Sequence, residues 1–145
     1  MGPQGGWEVG TGVLTLPSGR TVRGRSLLAE PPVPPPTYAL YLGGCRAPDV
    51  EWESAWIEWP DFRLPRDRTV AAREISNAWV RLDGDRVEVA CRGGRGRTGT
   101  ALACLSVLDG LDGHAAIDYV RSHYDRRAIE TPWQKRYVVE FRFNV

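Results

Sequence analysis

Short runs of apolar residues mark the places where the chain is expected to form buried strands. Residues 38–42 read Tyr-Ala-Leu-Tyr-Leu and end at a glycine pair, and residues 55–59 read Ala-Trp-Ile-Glu-Trp. Runs of this length, bounded by turn residues, are typical of strands inside a sheet. Residues 86–90 predict a third short strand that leads directly into a glycine-rich turn. These three segments are the predicted centre of a sheet.

Between and after these strands, apolar residues recur at helical spacing. Residues 69–82 place their apolar side chains on one side of a helix, which Gly84 can end. Three further helices are predicted, at residues 97–109, from the capping residue Asp112 to about residue 124, and at residues 132–142. Because strands and helices alternate, the predicted fold class is α/β, with a mainly parallel central sheet flanked by helices. We expect a single domain over residues 1–145.

The first 36 residues predict a less regular part of this domain. Residues 1–30 mix glycine-rich turns with short alternating segments, which predict one or two short strands. Residues 31–36 read Pro-Pro-Val-Pro-Pro-Pro and predict extended chain that crosses the surface.

Composition and charge exclude several classes of protein. The 145 residues carry 19 Lys and Arg against 18 Asp and Glu, a net charge of +1, which is not typical of a protein that coats nucleic acid. The three cysteines form no Cys-x-x-Cys pair, so neither a disulfide framework nor a zinc knuckle is predicted. No apolar stretch predicts a leader or a membrane span, and we expect a cytoplasmic protein.

The segment that points to chemistry is Cys-x5-Arg-Thr, from Cys91 to Thr98. The cysteine ends a predicted strand, glycines follow at positions 93, 94 and 96, and Arg97 opens a helix. Glycines allow backbone N–H groups to turn inward and bind an anion, and the helix N-terminus adds partial positive charge. Arg97 can bind phosphate through two parallel hydrogen bonds, and a cysteine in this field is expected to ionise readily. We therefore predict a nucleophile at the base of a phosphate cradle formed by residues 91–97.

This segment resembles the His-Cys-x5-Arg-Ser/Thr signature of the cysteine-dependent protein tyrosine and dual-specificity phosphatase superfamily. Residues 59–61, Trp-Pro-Asp, match the Trp-Pro-Asp loop of the tyrosine phosphatases. Residues 130–134, Glu-Thr-Pro-Trp-Gln, are similar to the superfamily's loop that positions the hydrolytic water, often Glu-Thr-Pro-x-Gln in its smaller members. The three motifs follow the superfamily's order, so the resemblance implies the fold and the chemistry of a tyrosine phosphatase.

The resemblance implies that the cradle binds and attacks a phosphate monoester without a metal ion or any other cofactor. Cys91 is the implied nucleophile and forms a cysteinyl-phosphate, while the Arg97 side chain holds the phosphoryl oxygens. The implied substrate-binding groups between them belong to Arg92, Gly93, Gly94, Arg95 and Gly96. The implied partners are phosphorylated proteins or peptides, with phosphotyrosine as the first substrate class and phosphoserine or phosphothreonine as the second.

The remaining motif residues are implied to act on the leaving group and on water. Asp61 is the implied general acid for the departing oxygen, and then the base for the attacking water. Thr98 is implied to donate its hydroxyl to the cysteine sulfur as the intermediate breaks down. Gln134, together with Glu130, is implied to orient the water.

The chain departs from the signature at Ala90, where the superfamily nearly always has histidine. That histidine orders the loop and helps to ionise the cysteine, so we expect the Cys91 thiol to be less acidic than is usual in the superfamily. Arg92 and Arg95 are a second distinctive feature. Phosphoinositide phosphatases often carry basic residues at these positions, whereas strict tyrosine phosphatases do not. The alternatives are therefore a polyanionic substrate such as a phosphoinositide, or two solvated loop charges.

Two other functions compete with the phosphatase interpretation. A rhodanese-like sulfurtransferase also carries a cysteine in a loop at the end of a strand. Its reaction needs no general acid, so residues 59–61 and 130–134 would be unexplained. A non-catalytic phosphate-binding module, or pseudophosphatase, is favoured by the alanine at position 90 but not by the intact Cys91, Arg97 and Asp61.

The other two cysteines allow a redox hypothesis. Cys104 lies on a predicted apolar helix and is expected to be a small core residue. Cys45 follows a glycine pair at the end of a predicted strand. Either thiol could trap an oxidised Cys91 as a disulfide. No sequence feature indicates an oligomeric state.

Overall fold

Residues 6–44 and 46–141 are described by a computed structural model of the chain. In chain order, this part forms β1 (Val13–Thr15), β2 (Thr21–Ser26), β3 (Tyr38–Gly43), β4 (Glu53–Glu58), α1 (Arg68–Arg81), β5 (Val87–Cys91), α2 (Gly96–Leu108), α3 (Gly113–His123) and α4 (Pro132–Glu140). Each predicted strand and helix is present, with ends that differ by at most two residues. The predicted α/β fold, a single domain with a mainly parallel sheet, is confirmed. None of these helices combines the length and the apolar character that a membrane crossing requires.

The sheet places β5 at its centre. The strand order is β1-β2-β5-β3-β4, with β1 antiparallel to β2 and the other neighbours parallel. Every residue of β5 is buried, as expected for a parallel strand that is covered on both faces. Cys91 pairs with Ser26 at the end of β2. The predicted cradle therefore begins at the carboxyl edge of the sheet, in the position where α/β folds commonly bind ligands.

The two faces of the sheet are covered differently. Tyr38, Leu40 and Leu42 of β3 face a core that also contains apolar side chains from all four helices. The alternate residues Ala39 and Tyr41 face the opposite side. Apolar residues from the segment between β3 and β4, and from β4 itself, pack against them there: Ala47, Val50, Trp52 and Trp56. The described helices thus pack on one face, and a loop covers part of the other.

A buried ion pair accounts for the acidic residue in the central strand. Glu88 is fully buried, and Arg25 of β2 approaches its carboxylate with Nε at 2.6 Å and Nη2 at 3.2 Å. The Arg25 Nη1 also donates to the carbonyl oxygen of Ala29 at 2.9 Å. Two parallel hydrogen bonds satisfy a carboxylate that would otherwise be costly to bury. The same guanidinium fixes the turn that follows β2, next to the cradle.

The N-terminal part contains two strands, β1 and β2, as the one or two short strands predicted for residues 1–30 allow. The proline-rich residues 31–36 contain neither helix nor strand. The carbonyl oxygen of Pro35 accepts a hydrogen bond from Arg86 Nε at 2.9 Å. This segment connects β2 to β3 across the end of the sheet where β5 begins.

Candidate active site

Cys91 lies at the base of the cradle, at the last position of β5. The residue is 2% exposed, and its sulfur accepts a hydrogen bond from the backbone N–H of Gly94 at 3.2 Å. Gly94 has a φ of 72°, and a Cβ there would lie 2.6 Å from the backbone nitrogen of Ser26. The turn therefore requires glycine, because only glycine supplies this left-handed backbone without a side-chain overlap.

The helix that follows the cradle begins without a side-chain cap. At α2, no side chain accepts a hydrogen bond from the first-turn N–H groups, whereas Asp67, Asp112 and Thr131 cap the other helices in this way. Uncapped N–H groups at a helix N-terminus are available to an anion. A Cβ on Gly96, the first residue of α2, would overlap the Glu130 carboxylate, so a larger residue there would displace the Glu130 side chain from its present position.

Arg97 reaches across the cradle to the loop that carries Asp61. The residue is 6% exposed, its Nη1 donates to the carbonyl oxygen of Trp59 at 3.0 Å, and its Nη2 lies 3.4 Å from Asp61 Oδ1. Its Nε is buried and has no hydrogen-bond partner among the described residues. The guanidinium therefore keeps donor capacity for a phosphoryl oxygen while it holds the acid loop next to the cysteine.

The loop at residues 59–63 is fixed by several hydrogen bonds. The Trp59 indole is fully buried and donates to the carbonyl oxygen of Arg63 at 2.7 Å. Trp133 of α4 donates from its indole to the carbonyl oxygen of Phe62 at 2.6 Å. Asp61 itself is 56% exposed in its side chain. The Asp61 carboxylate is thus held at the cradle cavity, and its exposed surface is accessible to the leaving group of a substrate.

The motif residues enclose one small cavity of about 240 Å³. Its walls include Cys91, Asp61, Arg97 and Glu130 together with the loop of the cradle. Leu28 and Phe62 form part of its rim, and both side chains are exposed. The structure therefore brings together the four side chains to which the sequence assigns nucleophile, acid, phosphate clamp and water-binding group.

Gln134, which is implied to orient the water, does not line the cavity in this structure. It is fully buried, and its Oε1 accepts hydrogen bonds from the backbone N–H groups of Glu130 at 3.0 Å and Thr131 at 3.2 Å. Its Nε2 donates to the carbonyl oxygen of Arg63 at 3.3 Å. The amide is occupied as the second half of a capping box that starts α4. The carboxylate of Glu130, not this amide, lines the cavity.

Thr98 also differs from the expected contact. Its hydroxyl is buried and has no hydrogen-bond partner among the described residues, so the implied donation to the Cys91 sulfur is not made in this conformation. The donor to that sulfur is the Gly94 N–H. Thr100, one turn along α2, donates its hydroxyl to the Gly96 carbonyl oxygen at 2.6 Å.

The two arginines of the cradle loop are not equivalent. The Arg95 Nε lies 3.3 Å from Asp125 Oδ2, and its side chain is half exposed. Arg92 is exposed, and its guanidinium has no ion-pair partner within residues 6–44 and 46–141. Of these two loop arginines, Arg92 is therefore the one whose charge is free to meet a second negative charge on a substrate.

Two hydroxyl groups that the sequence does not point to hold the cradle loop from outside. Tyr124 donates its hydroxyl to the Gly94 carbonyl oxygen at 2.6 Å, and Ser26 donates to the Arg92 carbonyl oxygen at 2.7 Å. Burial and the nearby Cys91 raise the pKa of Tyr124 above its usual range, so this phenol remains a donor. We refer to Ser26 and Tyr124 as the loop brace.

The structure also explains why alanine is accommodated before the nucleophile. Ala90 is fully buried and packs with Ala39 and Tyr41 on the face of the sheet that the described helices do not cover. A histidine ring would have to fit within this small apolar cluster. In this chain the loop is instead held by the loop brace.

Of the two other cysteines, Cys104 is fully buried on α2, as expected. Burial raises the pKa of the Cys104 thiol well above its usual range. Cys91 and Cys104 are both free thiols. Cys45 lies outside the described residues, so its redox hypothesis stays a prediction.

Comparison with known sequences gives two kinds of match. The profile of a family described as PTP-SAK, Swiss Army Knife protein, DSP-PTPase phosphatase domain, matches residues 60–135. Two uncharacterized proteins of Methanocaldococcus jannaschii are similar to this chain. MJECL20 is 44% identical over 69% of this chain and 76% of its own length. MJ0215 is 46% identical over 69% of this chain and 70% of its own length.

Solved structures share the fold. The crystal structure of Tk-PTP in the active form has a TM-score of 0.61 at 23% identity, covering 71% of this chain and 75% of that one. A kinase associated phosphatase (KAP), with its catalytic-site cysteine substituted by serine, has a TM-score of 0.61 at 21% identity, covering 73% and 69%. At such low identity, the likeness concerns the architecture of the sheet and helices.

Proposed function

Because the chain belongs to the family of Swiss Army Knife DSP-PTPase phosphatase domains, we propose that it hydrolyses phosphotyrosine monoesters through a cysteinyl-phosphate intermediate. The family membership confirms the expected superfamily and makes the chain a phosphatase. The proposal adds the substrate class, the covalent intermediate and the independence from metal ions. Phosphoserine and phosphothreonine are the second substrate class, since the cradle recognises the phosphoryl group and not the atoms behind it.

The observation that supports this mechanism most directly is the arrangement around the cysteine sulfur. Gly94 donates its N–H to that sulfur, and Arg97, which lines the same cavity as Cys91, pairs with Asp61. The thiolate is the nucleophilic form of a cysteine, and the Gly94 N–H is placed to donate to it. The same groups can bind the equatorial oxygens of a phosphoryl group in transfer.

In the first step, the Cys91 sulfur forms a bond to phosphorus as the bond from phosphorus to the leaving oxygen breaks. Asp61 gives its proton to that oxygen, so the alcohol or phenol departs neutral. In the second step, Asp61 takes a proton from water as the water oxygen attacks phosphorus. The sulfur leaves as thiolate and inorganic phosphate is released. Glu130, which lines the cavity, is the polar residue that orients this water. Gln134 holds the backbone of Glu130 in place through its hydrogen bonds to the N–H groups of Glu130 and Thr131.

Hydrolysis of p-nitrophenyl phosphate tests this proposal. Turnover should persist in excess EDTA and should be abolished by Cys91→Ser. Asp61→Asn should reduce kcat by roughly 10²- to 10⁴-fold, the usual contribution of a general acid. Thiocyanate formation from thiosulfate and cyanide without phosphate release would instead favour the sulfurtransferase. Tight binding of vanadate or phosphate without turnover would favour the pseudophosphatase.

A phosphoinositide remains the alternative substrate class, and Arg92 is the residue that favours it. Its guanidinium has no ion-pair partner in the described part of the chain, whereas Arg95 is paired with Asp125. Initial rates on phosphotyrosine peptides and on soluble short-chain phosphoinositides separate the two classes. We expect the peptides to be the better substrates, and Arg92→Ala to affect both classes through KM.

A further inference from the structure

A second concavity adjoins the cradle at the carboxyl edge of the sheet. It is a groove of about 500 Å³, within the size range of sites that bind an extended organic group. Leu28, Asp61, Arg92 and Arg97 line both this groove and the cradle cavity. A substrate whose phosphate occupies the cradle therefore has the groove directly beside its leaving group.

Two aromatic residues, Tyr41 and Trp56, form the floor of the groove. The polar atom of each takes part in a hydrogen bond within the protein. The Tyr41 hydroxyl accepts a hydrogen bond from Trp52 Nε1 at 2.9 Å. The Trp56 Nε1 donates to the Gly43 carbonyl oxygen at 3.0 Å. With these polar atoms already paired, the partly buried Trp56 ring presents apolar surface to a ligand, whereas the buried Tyr41 contributes almost no exposed surface. We refer to this concavity as the Trp56 groove.

The edges of the Trp56 groove combine apolar side chains with unpaired positive charge. Leu27 and Leu28 are 36% and 74% exposed. Arg46 and Arg92 also line the groove, are exposed, and have no carboxylate partner among the described residues. An occupant that matches this surface carries a large apolar group together with negative charge.

We propose that the Trp56 groove binds a large apolar side chain of a phosphopeptide, one or two residues from the phosphorylated residue, with acidic residues of the same peptide facing Arg46 and Arg92. The proposal rests on the proposed function, because the cradle must hold the phosphate. A peptide fits better than a bilayer, since the aromatic floor is recessed and a membrane surface would contact only the protruding leucines. Substrate choice by this chain is therefore set by residues flanking the phosphate.

Paired peptides provide the test. Paired acidic phosphotyrosine peptides differ only in having leucine or serine at one position, one or two residues before or after the phosphotyrosine. In at least one pair, the wild-type chain should show kcat/KM about 10- to 100-fold higher for the leucine peptide, the factor expected for burying one such side chain. Ala47→Phe puts a ring into the groove and should reduce this ratio to near one. Leu27→Ser, which removes part of the wall, should lower the ratio as well.

The matched control is Val80→Phe, which adds the same ring at an exposed position of α1 that is 64% exposed and should preserve the ratio. Peptide affinity of the Cys91→Ser variant, measured by fluorescence anisotropy, reports the groove without turnover. Equal kcat/KM for the leucine and serine peptides of every pair would overturn the groove proposal while leaving the phosphatase proposal intact. If the Cys91→Ser variant bound the leucine peptide more tightly but the wild-type chain hydrolysed neither peptide, the groove proposal would be supported and the proposed function contradicted. Faster hydrolysis of a short-chain phosphoinositide than of either peptide would also overturn the proposal.

Discussion

The loop brace makes a quantitative prediction about Tyr124. Its hydroxyl donates to the Gly94 carbonyl oxygen at 2.6 Å, and the N–H of the same glycine donates to the Cys91 sulfur at 3.2 Å. Tyr124→Phe keeps the ring, which packs directly over Gly24, and removes only the hydrogen bond. Gly94 is buried, so its carbonyl oxygen would lose this partner within a buried site.

An unpaired buried carbonyl costs about 1–3 kcal/mol. If the loop recovers this free energy through a change of the backbone dihedral angles at Gly94, the N–H of that residue also moves relative to the sulfur and the loss falls on the transition state. We therefore expect kcat/KM for p-nitrophenyl phosphate to fall by about 5- to 150-fold. The rate of Cys91 alkylation by iodoacetamide at fixed pH should fall in parallel, because the thiolate loses a donor.

Tyr119→Phe is the matched control for this experiment. Its hydroxyl also donates to a backbone carbonyl oxygen, that of Thr15, at the edge of the sheet and away from the cradle. Tyr119→Phe should change stability without changing kcat/KM or alkylation. The reasoning would be refuted if Tyr124→Phe lowered the free energy of unfolding while both kinetic measurements stayed at wild-type values.

Three further predictions concern the cradle, the sheet and the second buried thiol. Gly94→Ala should abolish activity, because Gly94 has a φ of 72° and the added Cβ would overlap the backbone of β2. Gly93→Ala should have a much smaller effect, since among the described residues no heavy atom beyond its chain neighbours lies within 4 Å of the added Cβ. Glu88→Gln should lower the free energy of unfolding by about 3–5 kcal/mol in urea, because Arg25 would stay buried without its counter-charge, and the Arg25→Met/Glu88→Leu double variant should recover most of the loss. Cys104 should resist iodoacetamide at pH 8 in native protein, because burial raises its pKa, and should react in urea; peptide mapping that finds it modified under native conditions would contradict its placement in the core.

The sequence predicts the elements of this fold because its apolar residues follow one period in each segment. β3 reads as a continuous apolar run because it is buried on both faces, and β5 differs only at Glu88, which pairs with Arg25. α2 reads as an apolar helix because it lies inside the core. The order of the strands is not readable in the same way. It depends on pairing between β2 and β5, whose residues are more than sixty positions apart, and no local pattern encodes such a contact.

In the site, as in the fold, contacts between residues close in sequence are predictable, and contacts between residues far apart in sequence are not. Cys91 and Arg97 are connected by a short turn whose geometry the glycines dictate, so spacing alone brings them together. Gln134 is the case where two local patterns overlap. Thr131-Pro-Trp-Gln134 is also a capping-box sequence, and in this structure the amide serves the helix. The loop brace lies beyond sequence reasoning, because a serine at the end of one strand and a tyrosine after α3 share no motif with the cradle.

The hydrogen bonds that fix residues 59–63 have a consequence for the timing of the reaction. The indoles of Trp59 and Trp133 and the amide of Gln134 all donate to carbonyl oxygens of this loop. Releasing all three costs about 3 kcal/mol at a net ~1 kcal/mol each, so roughly one molecule in 150 has the loop displaced at any instant. A substrate too large to enter beside Asp61 must wait for that minority population. Its rate of entry is then limited by the same hydrogen bonds that keep the acid in place.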